Sequence, residues 1–359
     1  MTLGKEVATT EHDKTLAAVK AYYGAAAGGA RDLATKACCC RETIPPSHQA
    51  ILAQIDPEIL DRFYGCGSPI PSRLDGCTVV DLGCGAGRDA YLVSKLVGPR
   101  GRVVGVDMTG EQLAVARRHQ AAQAERFGFA RSNVDFREGR FEDLAALGVA
   151  DASVDVVISN CAINLSPDKA RAFAEIFRVL KPGGELYFSD VFADRRPPAN
   201  LADDPVLLGE CLAGAMYVED FRRMLRGLGC PDYRVVSRSE IVIDNPAVEA
   251  RVGAIGFQSM TIRAFKLNSL EDVCEDYGQV AVYLGTDPEQ PHGFALDDHH
   301  RFETGKPMLV CGNTAAMVSE TRYARLFHLI GDRSRHFGRF DCAHAAPAAA
   351  PPRAAGACC

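Results

Sequence analysis

Tryptophan is absent from the 359 residues, and no run of about 18 apolar residues occurs. No membrane-spanning helix is therefore expected. The opening segment, Met1 to Lys20, carries Lys5, Glu6, Glu11, Asp13 and Lys14 and has no apolar stretch of the kind a secretory leader needs. Positive charge is in deficit, with 40 Lys and Arg against 46 Asp and Glu, a formal net charge of −6. Such a balance offers no basic field for a phosphate backbone, so neither nucleic acid nor membrane is an expected partner. Internal repeats are missing, and 33 Gly with 19 Pro is too little for a collagenous chain. What is present, 47% hydrophobic residues over this length, is enough for two globular domains with cores. A cytoplasmic monomer is expected.

Cysteine is plentiful, with 14 residues, but the C-x-x-C pair of a zinc ribbon is lacking, as is the regular spacing of a small secreted disulfide framework. Thiols are the expected state. Cys38-Cys39-Cys40 are contiguous and Cys358-Cys359 end the chain.

From Cys77 to Asp190, short apolar runs alternate with amphipathic stretches, the pattern of parallel strands joined by crossover helices. Strands are predicted at 78–82, 102–107, 134–136, 154–159 and 185–189. Helices are predicted at 88–97, 110–127 and 168–180, the last stopped by Lys181-Pro182-Gly183-Gly184. The expected fold class is α/β, a doubly wound and mostly parallel Rossmann-like sheet. An N-terminal helical arm, with helices around Pro45-Pro46 and the cysteine cluster, occupies residues 1–75. The cofactor domain is placed at 76–232 and a smaller C-terminal α+β domain at 233–342, with a disordered Ala/Pro-rich tail over 343–359. A helix is expected from Pro205 to Leu228, and strands at 241–243, 279–284 and 308–311.

Asp81-Leu82-Gly83-Cys84-Gly85-Ala86-Gly87 follows the first apolar strand and opens a helix, so its glycines let the backbone pass close to a ligand. Dinucleotide-binding domains use a similar loop. Asp81, however, would repel a pyrophosphate and would instead face a ligand amine or water. Asp107 ends the second strand, 24 residues after Gly83, where a carboxylate can accept both hydroxyls of a ribose. Here the chain resembles the class I S-adenosylmethionine-dependent methyltransferases, in which an acidic residue precedes the glycine loop and a Lys-Pro-Gly-Gly-like turn precedes the fifth strand.

Three cysteines occupy distinctive places. Cys66 lies in Tyr64-Gly65-Cys66-Gly67-Ser68-Pro69, just before the first strand. Cys161 lies in Asn160-Cys161-Ala162-Ile163-Asn164-Leu165, at the carboxyl end of the fourth strand, where open α/β sheets form their crevice. Cys211 lies in Gly209-Glu210-Cys211-Leu212-Ala213-Gly214-Ala215, beyond the fifth strand. Thiolates select soft, polarisable atoms. With Tyr22-Tyr23-Gly24 and the N-terminal cysteine cluster, these strings resemble the arsenite S-adenosylmethionine methyltransferase family over about Tyr22 to Cys342.

The resemblance implies that Cys161 and Cys211 bind trivalent arsenic, with Cys66 as third thiol and redox partner of an N-terminal cysteine. That cysteine is taken as Cys38, with Cys39 and Cys40 as alternatives. It also places Tyr64, Gly83, Gly85, Asp107, Met108, Phe141, Glu142 and Asn160 near S-adenosylmethionine, beside Asp81 and Gly87 of the loop. The implied substrates are arsenite, methylated trivalent arsenic and antimonite, with thioredoxin or glutathione reopening the disulfide. Alternatives are a methyltransferase for a small organic nucleophile and a thiol-rich soft-metal sensor. Cys77, Cys84, Cys230, Cys274 and Cys311 are read as small buried packing residues. His299-His300 are read as solvated, and no metal is assigned to them.

Overall fold

A computed structural model describes residues 11–25 and 44–342 of the chain. Cys38 to Cys40 and the tail from 343 onward lie outside the described residues. The chain begins with α1 (Glu11–Ala25), α2 (Pro46–Leu52) and α3 (Pro57–Asp61), then alternates β1 (Thr78–Leu82), α4 (Arg88–Val97), β2 (Arg102–Asp107), α5 (Gly110–Arg118), α6 (Gln120–Arg126), β3 (Val134–Glu138), β4 (Val154–Asn160), α7 (Lys169–Val179) and β5 (Leu180–Ala193). It continues through α8 (Pro205–Gly209), β6 (Met216–Tyr217), α9 (Val218–Gly227), β7 (Tyr233–Ile241), α10 (Pro246–Val252) and β8 (Phe257–Phe265). The remainder is β9 (Glu275–Asp276), β10 (Gln279–Tyr283), β11 (Gly293–Ala295), β12 (Arg301–Glu303), β13 (Pro307–Val310), α11 (Gly312–Ser319), β14 (Phe327–Ile330) and β15 (Gly338–Arg339).

The main sheet runs β3-β2-β1-β4-β5-β8-β7, with β6 also paired to β5. Strands β1 to β5 are parallel, while β8 runs antiparallel to both β5 and β7. The central strands are rich in apolar residues because helices cover both faces. Alternate side chains then serve opposite layers: Val79 and Val103 pack with Leu92 and Leu113, whereas Val80 and Val104 pack with Phe173 and Phe188. Strand order reverses between β1 and β4, so the connections leaving their carboxyl ends diverge and open a crevice there.

Several boundaries differ from expectation. β5 already begins at Leu180, so the Lys-Pro-Gly-Gly segment ends α7 but belongs to the strand, with a register irregularity opposite Val154 and Val156. The helix expected over 110–127 breaks at His119, which turns to bond Glu58 at 2.8 Å. The helix expected over 205–228 is α8 and α9, separated by an irregular segment and β6. Gly214 lies there, so close to the Asn164 carbonyl that a Cβ would collide with it. The main sheet extends past residue 232 through β7 and β8 to Phe265. Among the described residues, no helix is long and apolar enough to cross a membrane.

The smaller C-terminal layer has a sheet ordered β13-β10-β14 and a core rich in aromatic rings. Phe294 meets Tyr323 edge-on at 5.0 Å and Phe302 meets Phe327 likewise at 5.0 Å. This layer is fastened to the main sheet through Glu185 of β5, whose side chain has no exposure and lies 2.5 Å from Arg263 Nε. Arg322 reaches the same carboxylate, and the Tyr323 hydroxyl donates to it at 3.1 Å. Neutralising one member of such a buried set strands the others. Glu185→Gln is expected to lower unfolding stability by about 3–5 kcal/mol in urea titrations; a loss under about 1 kcal/mol would show that the seam does not depend on this charge.

Candidate active site

The crevice begins at the glycine loop. Gly83 has φ 71°, and a Cβ there would strike the side chain of Ala162, so the loops leaving β1 and β4 touch. Gly83 and Cys84 donate their N–H groups to the Val106 carbonyl at 2.8 and 3.1 Å, which pins the loop to β2. The Asp107 carboxylate accepts from the amides of Gly85 and Thr109, both at 2.8 Å. The residue expected to hold a ribose therefore also shapes the loop.

These elements surround a cleft of about 1020 Å³, counting its open mouth. Tyr64, Asp81, Gly83, Gly85, Asp107, Met108, Phe141, Glu142, Asn160 and Cys161 all line it. Gly87 does not line it; it is the left-handed cap, φ 93°, from which α4 starts. Leu16 and Val19 of α1 were not foreseen as wall residues, yet they cover one side. The Tyr22 hydroxyl donates to Glu210 at 3.3 Å, docking α1 beside the segment that carries Cys211.

The floor is acidic. Asp81 is buried, its Oδ2 has no hydrogen-bond partner, and burial together with Asp89 and Asp107 pushes its pKa well up. Asp89 is paired with Arg88 at 2.6 Å. Glu142 is buried and accepts from the Ser166 hydroxyl at 2.5 Å. An enclosure with an unpartnered carboxylate oxygen at its base suits a ligand bearing positive charge.

The thiols gather at one end of this cleft. Asn160, the last residue of β4, accepts from the Cys66 amide at 3.1 Å and donates to the Gly67 carbonyl at 2.9 Å and to Asp89 at 3.0 Å. Ser259 of β8 donates to the Cys66 carbonyl at 2.8 Å. Cys161 follows Asn160 directly, and Cys211 Sγ lies 3.3 Å from its carbonyl oxygen. All three cysteines share one buried apolar cluster. Cys161 opens onto the cleft, while Cys66 and Cys211 are not among its lining residues. Among the described residues only four non-glycines have positive φ, and two of them are Cys161 (51°) and Cys211 (66°). Left-handed backbone at a non-glycine is costly and collects at functional sites.

Cys66 and Cys161 are joined by a disulfide, their Cα atoms 5.9 Å apart. The expected partner of Cys66 was an N-terminal thiol. The Asn160 clamp holds Cys66 beside Cys161 instead, and Cys211 is buried and outside that disulfide.

Asp190 was not foreseen. It lies inside β5, where the polar pair Ser189-Asp190 interrupts the apolar stretch from Leu186 to Ala193, and that pair was the available signal. A carboxylate oxygen of Asp190 and the sulfurs of Cys66 and Cys161 lie within 4.8 Å of one another. Burial pushes its pKa up to about 7 against the amides of Val191 and Asn164, which donate to it. Elsewhere, burial raises Cys84 and Cys230, consistent with packing thiols.

The strand order and the acidic residue ahead of the glycine loop define a class I methyltransferase. A methyltransferase-domain family model matches residues 74–229. The arsenite methyltransferase of Aquipseudomonas alcaligenes is 53% identical over 90% of this chain and 93% of its own. The human arsenite methyltransferase is 38% identical over 86% of this chain and 82% of its own. Among solved structures, an arsenic(III) S-adenosylmethionine methyltransferase from Chlamydomonas reinhardtii superposes with a TM-score of 0.81 at 52% identity, covering 83% of this chain and all of that one. The chain belongs to the arsenite methyltransferase family.

Peptide mapping under non-reducing conditions should recover a Cys66–Cys161 cross-linked pair that disappears on reduction. Recovery of Cys66 linked only to Cys38, Cys39 or Cys40 would contradict the arrangement described.

Proposed function

We propose that the chain transfers methyl groups from S-adenosylmethionine to trivalent arsenic held by Cys161 and Cys211, with Cys66 as third ligand for arsenite. The gathering of Cys66, Cys161 and Cys211 in one buried cluster, with Cys161 opening onto a cleft that has an unpartnered carboxylate oxygen at its base, carries this reading. The residues fit the cofactor: Asp81 answers its positive charge, Asp107 retains lone pairs for ribose hydroxyls, and Phe141 with Glu142 suits an adenine edge. When bound, S-adenosylmethionine supplies an electrophilic methyl carbon on a sulfonium, so no general base is needed at the acceptor.

The protein's task is then placement. Arsenite exchanges three hydroxyls for three sulfurs, releasing three waters, and the thiolates leave arsenic with a lone pair. Ala162 and Leu165 beside Cys161, and Leu16 and Val19 of α1, keep water from that end of the cleft. Gain of a methyl makes arsenic formally pentavalent. The Cys66–arsenic bond breaks first, its electron pair leaving with sulfur while water takes the position as hydroxide and releases a proton. The freed Cys66 sulfur then attacks Cys161 sulfur, which forms the disulfide, breaks the Cys161–arsenic bond and returns that pair to arsenic, now held by Cys211 and the hydroxyl. The bridged state is read as the form left after this step. Reloading requires two electrons from thioredoxin or glutathione through thiol exchange.

Monomethyl arsenic has only two exchangeable positions. Cys161→Ser and Cys211→Ser are each expected to lower turnover of arsenite and of monomethyl arsenic by on the order of 100-fold or more. Cys66→Ser should lose the first methylation while keeping single-turnover transfer onto monomethyl arsenic, followed by mass spectrometry of arsenic species. Equal loss of both would refute the valence assignment.

A cationic ligand favours ionised Asp81, whose pKa stands raised in the free protein, so binding should release a proton. S-adenosylmethionine affinity should therefore fall as pH is lowered. Asp81→Asn is expected to weaken binding by roughly 2 kcal/mol or more and to remove that proton release in calorimetry across buffers; an unchanged proton count would exclude Asp81 as the cation's partner.

A further inference from the structure

A second group of thiols lies outside the cleft. Cys274 precedes β9, Cys311 caps the start of α11, and Cys342 follows β15. They are far apart in sequence but their three sulfurs lie within 4.8 Å of one another. Two pairings bring this about. Strand β15 runs antiparallel to β9, and the Phe340 amide donates to the Cys274 carbonyl at 2.8 Å, which lays the segment carrying Cys342 against Cys274. Strand β13 delivers Cys311 to the N-terminus of α11, where its sulfur accepts from the Thr314 amide at 3.4 Å. Cys311 is buried, whereas Cys274 and Cys342 are half-buried. None of the three lines the active-site cleft.

The reading of Cys274 and Cys311 as packing residues does not account for this convergence. A packing thiol needs neighbours, not two other sulfurs. The electrostatics favour a bound thiolate at the centre: a hydrogen bond from Cys274, the guanidinium of Arg234 and the Thr314 donors all draw the Cys311 pKa down. Arg234 is itself buried and anchored, bonded to Asp232 at 2.8 Å, Asp297 at 3.0 Å and Thr314 at 3.1 Å. His300, expected to be solvated, is buried in the same network and bonded to Asp297 at 2.8 Å. Among the described residues, no His, carboxylate or further Cys is grouped with the three sulfurs.

We propose that Cys274, Cys311 and Cys342 form a second binding site, separate from the methyl-transfer centre, for trivalent arsenic. Three sulfurs and no fourth donor match an atom with three bonds and a lone pair, where structural zinc would ask for four ligands. Charge points the same way. Arsenite exchanging its three hydroxyls for three thiols breaks three S–H and three As–O bonds, forms three As–S bonds and releases three waters, with no electrons transferred and no net charge left. Zinc on three thiolates would leave a negative site where the guanidinium of Arg234 is already committed to Asp232 and Asp297. The inference rests on the reading that the chain meets trivalent arsenic, but it is tested by binding and not by turnover.

The test uses reduced, full-length protein in which Cys66, Cys161 and Cys211 are all replaced by Ser, so that the first centre cannot bind. After incubation with arsenite alone and gel filtration, arsenic is counted by mass spectrometry, and the Cys274, Cys311 and Cys342 peptides are scored for protection from maleimide. One arsenic per chain is expected to be lost on adding Cys311→Ser, with protection lost at Cys274 and Cys342 as well. Serine is a good helix cap, so this variant retains the start of α11; Cys342→Ser, at the far end of the described chain, should give the same loss. An arsenic count unchanged by both substitutions overturns the proposal. So does one equivalent of zinc that survives dialysis against chelator and vanishes with Cys311→Ser. Failure of methylation in the otherwise native chain would instead count against the first centre, leaving this result unaffected.

Discussion

The carboxamide of Asn160 holds the site together. Its oxygen takes the Cys66 amide and its nitrogen spans the Gly67 carbonyl and Asp89, so one side chain ties the loop before β1 to the end of β4 and to the first turn of α4. Because Cys161 is the next residue, the clamp fixes the spacing of two sulfurs that are 95 positions apart. Hydrogen bonds of this kind contribute about 1 kcal/mol each to stability, but leaving their buried partners unmet costs more. Their main effect here is positional.

Around that clamp the fold supplies two different surroundings for one reaction. The cofactor side is polar, with an acidic base and amide donors arranged by the glycine loop. The sulfur side is apolar, built from Val191, Leu207, Leu212 and Phe257. Soft ligands gain from such a lining, which keeps water away, and the Asp190 carboxylate beside the sulfurs is a hard donor that competes poorly for the metalloid. Left-handed backbone at Cys161 and Cys211 is the local cost of aiming both residues into one small volume, and the packed sheet and α8 can sustain it.

Much of this was legible from the residues. Strands β1, β2 and β4 follow from short runs rich in Val, Leu and Ile, because a parallel sheet is buried on both faces. The placement of Cys161 follows from the rule that crevices form at carboxyl strand ends. Other features depend on contacts that no local pattern encodes. The break at Glu210 to Ala215 arises from Gly214 meeting Asn164 across the fold. The seating of α1 on the cleft depends on Tyr22 reaching Glu210, and the Cys274, Cys311 and Cys342 group exists only once β9, β13 and β15 are in place. Asp190 carried a faint local signal, a polar pair with Ser189 inside an apolar stretch of β5, but its meaning lies in the sulfurs across from it.

The central claim is that arsenic is bound by sulfur at the end of β4, and X-ray absorption at the arsenic edge reads that bond directly. Measured on reduced protein carrying Cys311→Ser to remove the second thiol group, arsenite should show three sulfur neighbours and monomethyl arsenic two. Oxygen neighbours alone, or a sulfur count unaltered by Cys161→Ser, would contradict the account.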